Sequence, residues 1–248
     1  MFNFFADENA KQNSQYKING ADYNHIKNVL RMGIGDTCLI SCGGKSDLCE
    51  ITAFYEDAVC LSVIEENYND TELPVKIYLF QGLPKGDKME YIIQKCVELG
   101  IFAVVPVEMK HCVVKLDDKK AKSKQARWQS ISESAAKQSK RNIIPEIMSV
   151  CSFTKALEFA KSLDLIMVPY ENKNGMQATV DALGSLKTAK SVGIFIGPEG
   201  GFEEKEIEKT LSSNAKIISL GKRILRTETA AITAVSMCML EIEKGNIE

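Results

Sequence analysis

Two short stretches near the carboxyl end decide the fold class, SVGIFIGPEGG at residues 191–201 and KIISLGKRILRTE at residues 216–228. In each stretch an apolar run typical of a buried strand leads into a glycine-bearing turn, and a helix-like segment follows. The helix over 203–211 is acidic at its start, which suits the positive end of a helix dipole. Thr227 is expected to cap the second helix. Repeated strand, turn and helix units predict a parallel sheet covered by helices.

The two turns are predicted to hold a ligand, and their residue types argue against a phosphate. A glycine-rich turn before a helix usually favours an anion, but Glu199 lies inside the first turn. A carboxylate about 4 Å from a phosphate costs roughly 1–4 kcal/mol, and Pro198 removes an amide donor. The sequence contains neither a P-loop nor the spaced glycine fingerprint of dinucleotide sites. A cationic or neutral ligand fits the turns better, and the alternative is that they are ordinary tight turns.

The periodicity changes near residue 72, which predicts two domains, residues 1–72 and residues 73–248. In the first domain, short runs bounded by turn residues predict a small antiparallel β-barrel. These runs lie at 38–42, 48–54 and 59–64. One helix interrupts them, with Asp22 as its expected cap and Gly33 at its end.

The second domain alternates between strand-like and helix-like segments. Strands are predicted at 75–80 and 101–107, on either side of a helix over 88–99 with one apolar face. This alternation predicts an α/β fold with a parallel sheet and helices on both sides. The segment 117–125 is predicted to be the most flexible. The region 110–141 is rich in lysine and is either an RNA-binding strip or a solvated helix face.

Composition excludes several classes of protein. The 248 residues carry a net charge of −2, which does not indicate a nucleic-acid binder overall. Eight cysteines without a Cys-x-x-Cys pair predict neither a zinc site nor a disulfide framework. His25 and His111 belong to no ligand cluster, so no metal is expected. With no apolar stretch of bilayer length and no signal peptide after Met1, the sequence predicts a cytoplasmic protein without membrane contact.

The carboxyl-terminal stretches resemble a known family. GPEGGFEEKEIE at 197–208, followed by LGKRILRTETAAITA at 220–234, is similar to the cofactor-binding end of the SPOUT methyltransferases. The similarity is closest to the RsmE-type enzymes, which methylate ring nitrogen 3 of a uridine in small-subunit (16S) ribosomal RNA. Shorter similar runs are HIKNVLRM at 25–32, KGDKME at 85–90, QKCVELG at 94–100, QSKR at 138–141 and Tyr170-Glu171. In this order they cover nearly the whole chain.

The resemblance implies a fold and partners that residue patterns alone do not predict. It implies a PUA-like RNA-binding β-barrel followed by a SPOUT-type α/β domain with a carboxy-terminal trefoil knot around the cofactor. It also implies a homodimer in which each cofactor site borrows residues from the partner subunit. The implied substrate is 16S ribosomal RNA or the small ribosomal subunit, which places the protein in rRNA processing and ribosome biogenesis.

S-adenosylmethionine, the cofactor that the resemblance implies, carries a sulfonium cation, and the two turns offer what it needs. Glycines allow close backbone approach, and apolar side chains can wall the adenine. The residues predicted to bind the cofactor are Tyr170, Ile196, Gly197, Pro198, Gly200, Gly201, Leu220, Gly221, Ile224, Leu225 and Thr229. Core packing is the alternative role for the isoleucines and leucines.

Methylation of the uridine ring nitrogen requires loss of its proton and stabilisation of the negative charge on the flanking carbonyl oxygens. Arg226, at the end of the second turn, is the predicted catalytic residue because a long donor there can reach past the cofactor. A salt bridge with Glu199 or Glu228 is its alternative role. Either glutamate is a candidate for accepting the proton, and His25 is a rival candidate, so the base stays unassigned.

Five residues are predicted to contact RNA: His25, Arg31, Lys85, Lys95 and Arg141. Ordinary solvation is the alternative for each of them. Two positions depart from the family pattern, since Lys110 stands where an arginine is expected and Ser134 stands where a glutamate is common. Lysine keeps the charge but loses the two-pronged geometry of arginine.

Two other functions stay open at the level of sequence. One is a SPOUT methyltransferase that acts on another RNA or on a ribose hydroxyl. The other is a ribosome-assembly factor that binds RNA without catalysis. Cofactor binding would distinguish the methyltransferases from the non-catalytic assembly factor. A methyl group on a base rather than on a ribose would distinguish the uridine methyltransferase from the other SPOUT methyltransferase.

Overall fold

The computed structural model describes residues 1–170 and 175–244. The chain folds as two compact units. The first unit comprises Met1–Glu72 and Ala136–Ile144, and the second comprises Leu73–Ala135 and Pro145–Glu248. The first unit therefore takes in a short segment that lies beyond the boundary predicted at residue 72.

The first unit is built around one six-stranded sheet. Its strands are β1 (Asn3–Phe5), β2 (Lys11–Gln12), β3 (Gln15–Asn19), β4 (Thr37–Cys42), β5 (Lys45–Phe54) and β6 (Ala58–Asn69). They pair in the order β1-β4-β5-β6-β3-β2, antiparallel except for β1 beside β4. The three antiparallel strands predicted from the sequence are confirmed, and Phe4, Ile40 and Leu61 belong to the buried cluster of this unit.

The helix predicted in the first unit begins earlier than expected. α1 (Gly20–Asn24) follows Asn19, which has the extended backbone of an N-cap, and a π-helical turn over His25–Val29 continues it. Asp22, the predicted cap, lies inside α1, and the helical run ends before Gly33. The predicted cap and end of this helix were therefore wrong. The Asn19 side chain makes no capping hydrogen bond, so side-chain capping does not set the start of α1.

A buried carboxylate, Asp47 on β5, connects that strand to three neighbouring segments. Its Oδ2 accepts hydrogen bonds from Tyr16 Oη and Lys11 Nζ, both at 2.8 Å, and its Oδ1 accepts one from the Asn67 amide at 3.0 Å. Burial alone would raise the pKa of Asp47, but the three donors outweigh burial and hold the pKa below the usual value of an aspartate. The folded state therefore favours the charged form of Asp47.

We expect Asp47→Asn to destabilise the protein by about 2–3 kcal/mol at neutral pH. This is less than the roughly 3–5 kcal/mol of a fully buried ion pair, because the Lys11 side chain keeps 29% of its surface exposed. Since the folded-state pKa of Asp47 lies below its unfolded value of about 3.9, the ionised carboxylate stabilises the wild type above that pH. That contribution is lost as the pH falls through the folded-state pKa.

Denaturant unfolding of wild type and Asp47→Asn between neutral and acidic pH measures this difference. The gap in free energy of unfolding between the two proteins should narrow below about pH 4. Asp57→Asn, at an exposed aspartate of the same unit, is the control and should show no such gap. A gap that stays constant over the whole range would contradict the role given to the Asp47 charge.

Arg141 is buried, which contradicts its predicted role as an RNA contact. Its side chain is 3% exposed, and its guanidinium pairs with the Glu72 carboxylate through Nε at 2.9 Å and through Nη2. The same carboxylate accepts a hydrogen bond from the Asn142 amide at 2.8 Å, and the Arg141 carbonyl accepts one from Asn3 Nδ2 at 3.0 Å. These contacts fasten Ala136–Ile144 to the rest of the first unit. A phosphate could reach Arg141 only by displacing the glutamate.

The second unit contains a parallel sheet, as predicted. Its strands are β7 (Lys76–Gly82), β8 (Ala103–Glu108), β9 (Glu146–Ile147), β10 (Cys151–Ser152), β11 (Leu165–Pro169), β12 (Ser191–Ile196) and β13 (Lys216–Ile218). The order is β10-β8-β7-β12-β11-β13, with β9 also paired to β8, and every pair is parallel. The carboxyl ends of these strands therefore lie at the same edge of the sheet.

Helices connect the strands of this sheet. They are α2 (Lys88–Glu98), α3 (Asp118–Ser139), α4 (Phe153–Ala160), α5 (Gly175–Gly184), α6 (Glu204–Leu211) and α7 (Thr227–Lys244). The helices predicted over 88–99 and 203–211 are confirmed within one residue at each end. Within residues 1–170 and 175–244, no helix combines the length and apolarity needed to cross a membrane.

The segment predicted to be flexible, 117–125, is instead the start of α3, so that prediction was wrong. Asp117 Oδ1 accepts a hydrogen bond from the Lys120 amide at 2.8 Å, which satisfies an amide of the first turn. Later in the helix Trp128 is 4% exposed, and Gln129 Oε1 accepts a hydrogen bond from the Ile147 amide. Packing of these later residues stabilises a helix whose polar first turns resemble a loop in sequence.

Candidate active site

A cleft of about 570 Å³ opens where three strands of the second unit end. Its lining comes from Pro169 and Tyr170 at the end of β11, from Ile196–Phe202 at the end of β12, and from residues between Ser219 and Thr227 after β13. Because β11 lies between β12 and β13 in the sheet, the two glycine turns flank its end. Open α/β sheets bind ligands at the carboxyl ends of their strands. The volume lies within the range of about 300–1,000 Å³ that is usual for small-molecule sites.

The cleft brings together nearly all the residues predicted to bind the cofactor. Those that line it are Tyr170, Ile196, Gly197, Pro198, Gly200, Gly201, Leu220, Gly221, Ile224 and Leu225. Thr229 is the exception, since it is exposed on the first turn of α7 and does not line the cleft. Glu171, which follows Tyr170 in the family-like motif, lies outside the described residues.

Close contacts favour glycine at two positions of the first turn, and a left-handed backbone favours it at a third. A Cβ at Gly200 would lie 2.9 Å from His111 Cβ, and a Cβ at Gly197 would lie 3.2 Å from the Gly201 carbonyl carbon. Gly201 has a φ of 69°, and its amide donates a hydrogen bond to the Pro198 carbonyl at 2.9 Å. Glycine adopts this conformation without steric cost. The turn is therefore held tightly where it faces the cleft.

Thr227 connects the first turn to β7 and α7. Its hydroxyl donates a hydrogen bond to the Gly197 carbonyl at 2.7 Å and accepts one from Gln81 Nε2 at 2.9 Å. Gln81 is fully buried, and Nε2 also donates to the Gly82 carbonyl. Thr227 is the first residue of α7 rather than its cap, since the Arg226 carbonyl already accepts the first helical hydrogen bond. The Thr227 hydroxyl therefore forms its hydrogen bonds with other segments of the fold and not with the backbone of α7.

Lys88, which sequence reasoning missed, forms the charged wall of the cleft with Glu199. Lys88 Nζ lies 2.8 Å from Glu199 Oε1, and the same oxygen accepts a hydrogen bond from the Lys85 amide at 3.0 Å. Burial acts to raise the pKa of Glu199, but the hydrogen bonds from Lys88 and from the backbone outweigh it, and the pKa is lowered. A general base works best with a pKa near the working pH. Glu199 is therefore better suited to positioning the first turn than to accepting a proton.

Glu228, the other candidate base, lies close to the Lys88–Glu199 ion pair. Its Oε2 lies 3.8 Å from Lys88 Nζ, which is an ion-pair distance but too long for a hydrogen bond. Within the described part of the chain this buried oxygen has no hydrogen-bond partner. Glu228 does not line the cleft, so a proton from a ligand in the cleft would need a path to reach it.

Arg226 lines the cleft with an exposed side chain. Among residues 1–170 and 175–244 no carboxylate lies within 4 Å of its guanidinium, so the alternative salt bridge with Glu199 or Glu228 does not form there. An arginine at a cleft, with its donors available, can bind carbonyl oxygens of a ligand. The catalytic role predicted for Arg226 stays a proposal.

The remaining predicted RNA contacts are exposed or half-buried. In the first unit His25 is exposed with its ring edge-on to Phe4, and Arg31 is exposed with a left-handed φ of 54°. In the second unit the Lys85 side chain is exposed, whereas Lys95 Nζ pairs with Glu98 at 2.8 Å. The four positions keep their predicted role as a proposal.

The two departures from the family pattern lie in the second unit and have ordinary surroundings. Lys110 is exposed, and its amide donates a hydrogen bond to Glu206 Oε1 at 3.0 Å. Ser134 Oγ donates to the Ser130 carbonyl at 2.9 Å within α3. The eight cysteines are free thiols. In the described part of the chain, no group of three or more His, Cys, Asp or Glu side chains is placed to hold a metal ion.

The sheet and cleft, together with matches to known families, define an RNA methyltransferase. A family model described as an RNA methyltransferase domain matches residues 71–239, and a model described as an RNA methyltransferase PUA domain matches residues 18–54. The ribosomal RNA small subunit methyltransferase E of Bacillus subtilis (strain 168) is 43% identical over 233 residues, which are 92% of this chain and 91% of that protein. The chain therefore belongs to the ribosomal RNA small subunit methyltransferase E family, and the resemblance to RsmE-type enzymes is confirmed.

Two further relatives agree with this assignment. The ribosomal RNA small subunit methyltransferase E of Mesomycoplasma hyopneumoniae (strain 232) is 31% identical over 240 residues, covering 96% of this chain and 99% of that protein. The crystal structure of a ribosomal RNA small subunit methyltransferase E from Neisseria gonorrhoeae bound to S-adenosyl methionine matches with a TM-score of 0.82 and 30% identity. That match covers 95% of each chain.

Proposed function

We propose that this protein transfers a methyl group from S-adenosylmethionine to ring nitrogen 3 of a uridine in small-subunit ribosomal RNA. The observation that carries the proposal is the cleft at the ends of β11, β12 and β13, where two glycine turns meet beside Arg226. The proposal is supported by membership of the ribosomal RNA small subunit methyltransferase E family. It is also supported by the relative of the same fold that binds S-adenosyl methionine.

The residues of the cleft fit this cofactor. Ile196, Leu220 and Leu225 supply apolar walls, and Ile224 is 86% exposed at the cleft, so a bound adenosine would cover it. The Lys88 cation, which would repel a sulfonium, is offset by the Glu199 carboxylate at 2.8 Å. When bound, the cofactor supplies an electrophilic methyl group. The backbone of the two turns supplies the close polar contacts.

We assign distinct roles to the polar residues. Arg226 donates hydrogen bonds to a uracil carbonyl oxygen as negative charge develops there. Glu199 and Lys88 position the first turn, and Thr227 holds the Gly197 carbonyl in place. Glu228 remains a candidate for the proton acceptor, and the base stays unassigned.

We also propose the trefoil knot and the homodimer. β13 lies at the sheet edge beyond β11, yet α7, which follows it, packs against α2, β7 and β12. Threading of α7 through the preceding loop would bring the chain back in this way from the edge strand β13 to the middle of the sheet. The homodimer is proposed from the resemblance to the RsmE-type enzymes, which implies that each cofactor site borrows residues from the partner subunit.

The domain and RNA assignments follow from the same proposal. We propose a PUA-like RNA-binding domain over residues 1–72 and a methyltransferase domain over residues 73–248. His25 and Arg31 would contact RNA from the first, and Lys85 and Lys95 from the second. A chain with eight free thiols suits a reducing compartment, and we propose the cytoplasm.

Methyl transfer from labelled S-adenosylmethionine to small ribosomal subunits tests the function. The subunits are purified from a strain that lacks this protein, and the digested RNA is analysed by mass spectrometry. One methyl group on ring nitrogen 3 of uracil is the expected result. A methyl group on a ribose would move the reaction to a hydroxyl, and cofactor binding without transfer would move the substrate to another RNA. Binding of neither cofactor nor product would favour an assembly factor.

A further inference from the structure

A second cavity of the second unit, about 370 Å³ in volume, carries a cluster of lysines. Lys110, Lys115, Lys205 and Lys209 line it, and all of them are exposed. None of the four ammonium groups lies within 4 Å of a carboxylate in the described part of the chain. We call this cavity the lysine groove. Lysines that line a concavity and form no ion pairs favour a polyanionic ligand.

Most of the acidic side chains of the lysine groove are already engaged. Glu206 is 7% exposed, and its two carboxylate oxygens accept hydrogen bonds from the amides of Lys110 at 3.0 Å and Glu203 at 2.9 Å. The Glu203 side chain accepts from the Glu206 amide in return, which completes a capping box at the start of α6. The amides are neutral and leave these carboxylates charged, so the four lysine cations stand against the three carboxylates of Glu108, Glu203 and Glu206, and the groove keeps a formal net charge of +1.

The lysine groove lies next to the cofactor cleft along the first turn. Phe202 lines the cleft and Glu203 lines the groove, and the Cα atoms of consecutive residues are about 3.8 Å apart. The loop that carries Lys110 is held to the same turn, because His111 Nδ1 lies 3.0 Å from the Gly200 carbonyl oxygen. A strand that places one nucleotide in the cleft would therefore pass the groove with its neighbouring nucleotides.

We infer that the lysine groove binds backbone phosphates of the RNA strand beside the target nucleotide. This inference rests on the proposed function. Lysines act on phosphates as point charges and carry no sequence information, so the groove holds the strand in register and does not read bases. The exposed hydroxyls of Ser152 and Thr154 on the facing wall are further donors for phosphate oxygens. Lys110 and Lys115, which belong to the lysine-rich region over 110–141, thereby become part of the proposed phosphate-binding groove.

The test is a variant with Lys110, Lys115, Lys205 and Lys209 all replaced by alanine. We expect a higher KM for small-subunit RNA, with kcat at saturating RNA and affinity for S-adenosylmethionine unchanged. In a plot of the logarithm of the RNA-binding constant against the logarithm of salt concentration, each contact with a single-stranded phosphate adds about 0.7 to the steepness of the slope. Loss of four contacts therefore lowers the slope by about 2.8, so that between 50 and 200 mM salt wild-type binding weakens about 50-fold more than binding of the variant.

The matched control replaces Lys76, Lys187, Lys190 and Lys216 by alanine. These lysines are equally exposed but lie at or near the amino ends of β7, β12 and β13, away from the edge that forms the cleft. The control should keep the wild-type KM and salt slope. A groove variant with the wild-type slope, or a control that loses as much slope, would overturn the inference. Single Lys115→Ala and Lys209→Ala variants, each expected to lose about 0.7 of slope, provide the same test if the fourfold variant does not fold.

The outcome for the groove is separable from the outcome for the proposed function. If wild-type protein methylates the subunits and the groove variant does so with unchanged KM and salt slope, the function stands and the groove inference fails. If wild-type protein transfers no methyl group, the function itself fails. In that case binding of the same RNA, measured without turnover, still decides whether the groove holds phosphates.

Discussion

Arg226→Ala is expected to lower kcat for methyl transfer by about 100- to 1,000-fold, the usual cost of removing one donor to a developing oxyanion. Affinity for S-adenosylmethionine should change little, because Arg226 is exposed and forms no ion pair with the described part of the chain. Its removal therefore breaks no contact that shapes the cleft. Single-turnover transfer to small subunits measures the rate, and calorimetric titration with the cofactor measures the affinity.

Arg223→Ala is the matched control for this prediction. Arg223 is an exposed arginine that lines the same cleft three residues earlier in the second turn. It should retain most of the activity, since we assign it no contact with the reacting base. Arg226→Lys should recover only part of the lost rate, because lysine restores the charge without the planar, two-pronged donor. Full activity in Arg226→Ala would remove the residue from the catalytic mechanism.

The residues of the cleft could largely be predicted from the sequence because its two glycine turns lie directly after apolar strands. The run predicted as a strand at 191–196 is β12, and the glycines that follow it line the cleft. Periodicity identifies a buried strand, and glycine next to it identifies a tight turn, so both signals lie within a few residues of the site. The residues on the two turns could therefore be named before any tertiary contact was known.

Residues that act across long sequence separations could not be found in this way. Lys88 pairs with Glu199 at a separation of 111 residues, and Arg141 pairs with Glu72 at a separation of 69. A charged residue in a motif looks the same in sequence whether it meets a ligand or a buried counter-ion. Gln81 offered a weak signal, since a polar side chain inside an otherwise apolar strand must find a hydrogen-bond partner. That signal says that a partner exists but does not identify it as Thr227.

The sequence alone also does not distinguish the roles of Thr227 and Thr229, which lie within one turn of α7. Both belong to the family-like run, and the sequence does not say which hydroxyl turns towards the first glycine turn. The structure buries Thr227 and exposes Thr229. Side chains two residues apart on a helix point in different directions, so only one of the two hydroxyls can face the first glycine turn.

Thr227→Val is expected to destabilise the second unit by about 2–3 kcal/mol and to weaken cofactor binding. Valine matches the shape of threonine but removes the donor to the Gly197 carbonyl and the acceptor for Gln81 Nε2. Each buried polar group left without a partner costs about 1–3 kcal/mol, and Gln81 Nε2 keeps its second partner, the Gly82 carbonyl. The Gly197 carbonyl then leaves the position from which the first turn forms the cleft. A loss of about 1.4 kcal/mol at the cofactor would appear as a tenfold weaker Kd.

Two further variants test whether the effect of Thr227→Val comes from loss of the hydroxyl. One changes the size of the side chain but keeps the hydroxyl, and the other makes the same change at a different position of α7. Thr227→Ser keeps the hydroxyl and should retain both stability and cofactor affinity better than valine. Thr229→Val changes the same atoms two residues away at an exposed position and should match wild type in both measurements. Denaturant unfolding and cofactor titration of the three variants decide the matter. If Thr229→Val weakens cofactor binding as much as Thr227→Val, the cofactor site extends beyond the cleft along α7, and the original assignment of Thr229 regains support.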